Sequence, residues 1–248
     1  MISSFFAFIT RLLEHNQGTF LANTSRNTLT KMDSPVWLIT GCSYVAEFTL
    51  PCSPLSAEVR PCLVRSGFGI ELARIALQAK HRVIATSRNP SKTPELVKEV
   101  EEAGGRWFTL DVADPAPHVT KDIVEQALKA FGRIDVLVNN AGTCLTGIVE
   151  FLTDAQVKDQ FETNFHGPHR LIAAVLPVMR SQKSGTIGEL RYRLVAFWSD
   201  KHTDPCYSVN ISSIGGISAH PSLSMYAASK HALEGEAAFA NGFTENLC

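Results

Sequence analysis

The sequence predicts one α/β domain, a doubly wound parallel sheet with helices on both faces. Length is the first observation: 248 residues suit a single domain with room for a sizeable core. The second is Val36-Trp37-Leu38-Ile39-Thr40, an apolar run entering Gly41, the pattern of a strand buried on both faces. The third is the alternation of strand-like and helix-like stretches. Repeated βαβ units imply parallel strands covered on both sides.

The remaining elements follow in chain order. Gly69 to Lys80 carries Ile70, Ala73, Ile75, Ala76 and Leu77 as one helix face. Arg82 to Thr86 is a second strand. Thr93 and Pro94 open a helix as N-cap and first helical residue, and it runs to Gly104. Arg106 to Leu110 is a third strand, and Val119 to Phe131 is a helix closed by Gly132. Ile134 to Val138 is a fourth, strongly apolar strand. Thr153-Asp154-Ala155-Gln156 forms a capping box that starts another helix. Asn164 to Arg180 is helical despite Gly167, Pro168 and Pro177. Val209 to Ser212 is a fifth strand, and a helix follows from about Tyr226.

Composition excludes several classes. Hydrophobic residues at 45% and charged residues at 19% argue against a mostly disordered chain. A net charge of -1, with no Lys/Arg cluster, argues against nucleic acid and anionic lipid as partners. No apolar run reaches the roughly 18 residues of a membrane span. Cys42, Cys52, Cys62, Cys144, Cys206 and Cys248 form no CxxC pair and no zinc-like spacing. They are too sparse for a disulfide scaffold, so the expected compartment is the reducing cytoplasm.

Three stretches stand apart from the domain. Residues 1–31 hold Arg11, Arg26 and Lys31 against one acid, Glu14, and many Ser and Thr. Met32, followed by Asp33-Ser34-Pro35 and the first strand, has the character of a protein start. We read 1–31 as a disordered upstream extension, with a targeting segment as the alternative. Tyr44 to Arg65 lies between the first strand and its helix, and Gly188 to Ser208 lies inside the expected fifth strand. Connections in βα units take about 2–6 residues, so both are improbable as native loops. Removing them joins Ser43 to Ser66-Gly67-Phe68-Gly69, and Ile187 to Val209-Asn210-Ile211-Ser212. Both read as in-frame retained introns. The domain expected is therefore 32–248, with inserts at 44–65 and 188–208.

Several motifs sit at the ends of the strands. Gly41-Cys42-Ser43, continued by Ser66-Gly67-Phe68-Gly69, is a glycine-rich turn before a helix N-terminus, where backbone can approach a phosphate. Thr86-Ser87-Arg88 ends the second strand, Leu110-Asp111-Val112 the third, and Asn139-Asn140-Ala141-Gly142 the fourth. Ser213 follows the fifth strand, thirteen positions before Tyr226-Ala227-Ala228-Ser229-Lys230. Singly, glycines can serve a tight turn, Arg88 can be a solvated surface residue, and YxxxK can be a plain helix face. In this order and at this spacing they are specific.

Together these motifs resemble the short-chain dehydrogenase/reductase family, in its form with one Rossmann-like domain. The resemblance covers roughly Ser34 to Leu247 outside the two inserts. It implies that Gly41, Ser43, Gly67, Phe68 and Gly69 line a dinucleotide pyrophosphate. It also implies that Asp111 and Val112 contact adenine, and that Asn140, Ala141 and Gly142 lie beside the cofactor. No acid follows the second strand to bind ribose hydroxyls. Ser87 and Arg88 suit a 2′-phosphate instead, so NADP(H) is expected over NAD(H).

The same resemblance makes Asn164, Ser213, Tyr226 and Lys230 the catalytic tetrad. Tyr226 exchanges a proton with a carbonyl or alcohol oxygen that Ser213 holds. Lys230 binds the nicotinamide ribose, and Asn164 holds a relay water. A free tyrosine has a pKa of about 10, and an ammonium one helix turn away should lower it. No metal is required. His166 and His169 are expected to be surface or packing residues. The expected partner is a small carbonyl or alcohol substrate, in a homodimer or homotetramer.

Family members continue beyond this point with further strands and a substrate loop. Glu236 to Gly242 reads as a small insertion, and the C-terminal strands are expected to be missing. Two classes therefore stay open: an NADP(H)-dependent oxidoreductase, or a catalytically defective dinucleotide-binding product.

Overall fold

The computed structural model describes residues 34–43, 67–182, 188–190, 207–218 and 222–244; for 188–190, 207–209, 214 and 237–244 only the backbone is described. The expectations for 1–31 and 44–65 lie outside these residues. The strands are β1 (Val36–Ile39), β2 (Arg82–Ser87), β3 (Arg106–Thr109), β4 (Val136–Asn139), β5 (Gly188–Leu190) and β6 (Tyr207–Ile211). The helices are α1 (Phe68–Gln78), α2 (Pro94–Glu102), α3 (Pro117–Phe131), α4 (Asp154–Phe161), α5 (Gly167–Gln182) and α6 (Ser224–Thr244).

The sheet order is β3-β2-β1-β4-β6-β5, and every pairing is parallel. The winding starts at β1, passes outward to β2 and β3, then returns to β4 on the other side. The carboxyl ends of β1 and β4 thus face each other across the switch point, where open α/β sheets bind ligands.

The period-two pleat divides the apolar strands between two layers. Val36, Leu38, Ile84 and Leu137 point to one face and pack with Ile123 and Ala127 of α3 and Leu171 and Val175 of α5. Trp37, Ile39, Val83, Ala85, Val136 and Val138 point to the other, against Ile70, Leu72, Ala73 and Ala76 of α1 and Val100 of α2. Burial on both faces explains why these strands read as continuous apolar runs. Polar ties seat the ends of the layers. The Asp135 carboxylate accepts the Val36 N–H at 2.9 Å while Arg133 grips its other side. Arg74 of α1 bridges to Glu99 of α2.

The local signals hold in detail. Thr153 and Gln156 make both bonds of the capping box. α3 ends on Gly132 in the left-handed conformation, φ +77, its N–H on the Leu128 carbonyl at 2.7 Å. Thr93 does precede α2, but its hydroxyl caps nothing, and its Oγ1 is buried without a partner.

Four features differ from expectation. α3 begins two residues early, at Pro117, because proline suits a first helical turn. β6 begins at Tyr207, and Gly188–Leu190 adds a parallel strand beside it, so parts of the second segment pair into the sheet. Residues 236–242 continue α6 without interruption. Between α4 and α5 the backbone passes through a π-turn, Glu162–His166. Among the described residues, no helix is long and apolar enough to cross a membrane.

Candidate active site

The strand ends at the switch point are joined by one threonine. The Thr40 hydroxyl oxygen, just after β1, accepts the N–H groups of Asn140 and Ala141, both at 3.0 Å, and donates to the Val138 carbonyl at 3.3 Å. The Asn140 amide returns the contact, donating to the carbonyls of Thr40 at 2.8 Å and Gly41 at 3.1 Å. Gly41 takes φ +71, where L side chains are strained, and a Cβ there would stand 2.8 Å from the Ala141 Cα. At the start of α1, a Cβ on Gly69 would lie 2.6 Å from the Asn140 Nδ2 and 2.8 Å from the Gly41 oxygen. Three backbones therefore meet where only glycine fits. Cys42 is buried among them, its N–H on the Thr86 carbonyl at 2.9 Å, and burial pushes its thiol up to about 12.

This corner fits a dinucleotide phosphate. The N-cap of α1 is Gly67, which has no side chain to cap the first turn; Phe68 follows exposed and Gly69 buried. Such a turn offers N–H groups and the positive end of a helix dipole to an anion. Ser43 is half-buried at the loop's entrance. Arg88 stands exposed beyond the end of β2.

Ser87 departs from expectation. It is 2% exposed, and its hydroxyl accepts the Trp107 indole N–H at 3.0 Å, so it does not share Arg88's exposed position. Asp111 folds back on its own turn, accepting the Ala113 N–H at 3.0 Å. Val112 is buried under the start of α5, against Gly167, and its carbonyl accepts Arg170 at 3.0 Å.

The tetrad assembles on the other side of β4. The Asn139 amide donates to Asn210 Oδ1 at 2.8 Å, locking β4 to β6. β6 then delivers Ser213, whose Oγ accepts the Gly215 N–H at 3.2 Å. The Ser213 hydroxyl is also hydrogen-bonded to the Tyr226 phenol. Tyr226 packs against this turn: a Cβ on Gly215 would be 2.9 Å from its ring and 3.7 Å from Ser213 Oγ. Lys230, one helix turn on, is 5% exposed and donates to the Ile211 carbonyl at 2.7 Å. A Cβ on Gly142 would find Asn164 Oδ1 at 3.4 Å and Lys230 Nζ at 3.6 Å, so Gly142 lies between these two tetrad members.

Electrostatics correct one expectation. Burial pushes the Tyr226 phenol above its ordinary value; the Ser213 hydrogen bond opposes this, and Cys144 adds to it. The Lys230 ammonium is turned onto the Ile211 carbonyl. Burial also lowers Lys230 itself, to about 8, against opposing pulls from Cys144 and Glu234.

Asn164 sits fully buried in the π-turn. Its Oδ1 accepts the Thr143 N–H at 2.8 Å, and its Nδ2 donates to the Thr143 carbonyl at 2.9 Å and the Ser229 Oγ at 3.1 Å. Both amide hydrogens are thus committed. The visible work of this side chain is to bind the strand end after β4 to α6. His169 pairs with Glu236 at 2.5 Å and His166 rests beside Phe165, at 5.1 Å between ring centroids.

Sequence reasoning overlooked Thr40, Thr143, Ser212, Ser229 and Glu234. Their signal was weak but present. Thr40 adjoins Gly41, Ser229 lies three residues after Tyr226 on the helix, and Glu234 lies one turn beyond Lys230.

Comparison with known proteins agrees with the geometry. Residues 64–188 match the short chain dehydrogenase family. The chain is 40% identical over 171 residues to oxidoreductase claN of Passalora fulva, covering 68% of this chain and 67% of that protein. It is 37% identical to human retinol dehydrogenase 8, covering 75% and 53%. An actinorhodin polyketide ketoreductase crystallised with NADPH superposes with a TM-score of 0.61 at 27% identity, over 84% of this chain and 64% of that one. The chain spans between about half and two thirds of the length of these curated relatives.

Proposed function

Because the chain belongs to the short-chain dehydrogenase/reductase family, we propose that it is an NADP(H)-dependent oxidoreductase interconverting a ketone or aldehyde with an alcohol. One observation carries the reading: Ser213, Tyr226, Lys230 and Asn164 converge at the carboxyl ends of β4 and β6, with the Ser213 hydroxyl on the Tyr226 phenol. A bound nicotinamide supplies the hydride. Ser213 holds the substrate oxygen in line with Tyr226. In reduction, Tyr226 gives that oxygen its phenolic proton; in oxidation it takes one. Lys230, lowered by burial to about 8, lies one turn further along α6 and would return a proton to Tyr226. Asn164 fixes the elements that carry Gly142 and Lys230.

For the cofactor, the start of α1 would hold the pyrophosphate, with Gly41, Gly67 and Gly69 allowing close approach and Asn140, Ala141 and Gly142 lining the far side. Asp111 and Val112 would meet the adenine. Exposed Arg88 supports the 2′-phosphate of NADP(H), as does the NADPH of the similar ketoreductase. For the substrate, Ile148, Val149, Phe151 and Ile217 are exposed on the loops after β4 and β6, which supports an apolar molecule. A polyketide ketoreductase and a retinol dehydrogenase among the similar proteins point the same way, to a secondary-metabolite, steroid-like or retinoid-like compound. A cytoplasmic setting is supported by Cys42 and Cys144, which are buried as thiols rather than joined in disulfides. We propose a homodimer or homotetramer for the complete family form.

A second reading rests on the first inserted segment. Residues 44–65 separate Gly41 from Gly67 in the chain, and a product carrying them could lose cofactor binding. The family match runs from 64 to 188 and takes in only the last two residues of 44–65 and the first of 188–208, which supports reading both as additions. NADPH-induced thermal stabilisation, measured with and without the segments, separates the readings. Stabilisation of both forms rejects the defective product. The functional proposal itself is tested by Tyr226→Phe, expected to bind NADPH nearly as wild type and to lose turnover. Full activity in that variant overturns it.

A further inference from the structure

The turn that carries Ser213 is held to the helix that carries Tyr226 and Lys230 by an acid outside the tetrad. Glu234 lies on α6 one turn beyond Lys230 and is 8% exposed. Its Oε1 accepts the hydroxyl of Ser212, the residue before Ser213, at 2.5 Å. The same carboxylate is pressed on Gly216: a Cβ at that position would collide with Glu234 Oε1 and stand 2.7 Å from Ser212 Oγ. Gly216 in turn donates its N–H to the Ser213 carbonyl at 2.9 Å. Both residues that Glu234 touches therefore bracket Ser213 in the chain, and one of them is bonded to it.

A buried carboxylate is costly to keep and is retained only where it is satisfied. Here its partners include the Ser212 hydroxyl, the surface of Gly216 and the nearby Lys230 ammonium, which Glu234 favours in its charged form. We propose that Glu234 is a positioning residue: it clamps Ser212 and Gly216 onto α6 and so holds the Ser213 hydroxyl against the Tyr226 phenol. Gly216 is required for the carboxylate to reach this place. The inference rests on the roles proposed above for Ser213 and Tyr226.

The test uses a readout that needs no substrate. The chain is labelled with ¹³C at the tyrosine ring carbon bearing oxygen, Tyr226 is assigned with Tyr226→Phe, and its titration is followed by NMR. The Ser213 hydrogen bond favours phenolate, so Ser213→Ala should move the Tyr226 transition upward. Glu234→Ala should reproduce that shift, and Glu234→Gln, which still accepts the Ser212 hydroxyl, should leave it at the wild-type position. Ser212→Ala removes the same bond by deleting one oxygen and stands in if Glu234→Ala does not fold. A Tyr226 titration in Glu234→Ala or Ser212→Ala superimposing on wild type, while Ser213→Ala shifts, overturns the proposal.

The kinetic arm uses NADPH oxidation with apolar ketones and aldehydes. Glu234→Ala should lower kcat at least tenfold with the NADPH KM within threefold, and Glu234→Gln should recover most of the loss. Equal kcat in all three forms overturns the clamp. If wild type turns over no carbonyl, the functional reading fails, while the Tyr226 titration still decides on Glu234.

Discussion

Replacing Thr40 by Val keeps the shape of the side chain and removes the oxygen on which the ends of β1 and β4 meet. That oxygen accepts two N–H groups, from Asn140 and Ala141, each at 3.0 Å, and Thr40 is 1% exposed. A valine methyl in its place leaves the Ala141 N–H without its acceptor and the Val138 carbonyl without its hydroxyl, while the Asn140 N–H keeps the Val138 carbonyl at 3.1 Å. A buried donor left unsatisfied costs about 1–3 kcal/mol. Ala141 is half-buried, so solvent recovers part of that loss. The expected destabilisation is about 2 kcal/mol, or roughly 4–8 °C in Tm for a domain of this size. Urea unfolding measures it directly, with an unchanged m-value showing that the denatured state is not involved. Thr40→Ser, which keeps the oxygen, should lose far less. A Thr40→Val protein within about 0.5 kcal/mol of wild type, the range of ordinary surface substitutions, would refute the reasoning.

Three further outcomes follow from the same site. Gly69→Ala puts a Cβ 2.6 Å from Asn140 Nδ2 and 2.8 Å from a backbone oxygen, so it should cost about 1–3 kcal/mol in urea unfolding and weaken NADPH binding. Lys230 is lowered by burial from 10.5 to about 8 in the fold, so between those values the unfolded chain binds more protons and stability rises with pH. Its contribution is fully present above 10.5 and is lost as pH falls through about 8; Lys230→Met should flatten that slope in urea midpoints measured from pH 7 to 10.5. Arg88→Ala should weaken NADPH roughly 10–100-fold, the worth of a charged hydrogen bond, while NADH, lacking the phosphate, changes by less than about threefold; fluorescence titration reads both.

Much of this was legible in the chain because the signals are local. Thr153 and Gln156 are three residues apart and make the box their identities predict. The strands announced themselves because burial on both faces demands unbroken apolar runs. Ser213, Tyr226 and Lys230 stood out through the family motif that they resemble. What escaped was long-range or set by burial. Thr40 looks like an ordinary strand residue until β4, about a hundred positions on, brings Asn140 to it. Ser212 meets Glu234 across 22 positions, and nothing in either neighbourhood marks the pair. Ser87 differs from Arg88 in exposure by one step of the pleat, so adjacent polar residues took opposite roles. The Tyr226 pKa moved opposite to expectation because burial of the phenol dominates, and helix spacing says nothing of burial. Nor does spacing say where the Lys230 ammonium points, which the Ile211 carbonyl decides. Gly188–Leu190 pairs with β6 although its neighbours read as an insertion, since three residues suffice for a parallel edge strand.

The central claim is hydride exchange between a nicotinamide and a carbonyl carbon, with Tyr226 as proton donor. Its most direct test is turnover with NADPH deuterated at C4 of the nicotinamide, against apolar ketones and aldehydes, with mass spectrometry of the alcohol formed. The account predicts deuterium on the carbinol carbon with wild type and no product with Tyr226→Phe. NADPH consumption that leaves no deuterium in the alcohol, or equal product from Tyr226→Phe, would contradict it.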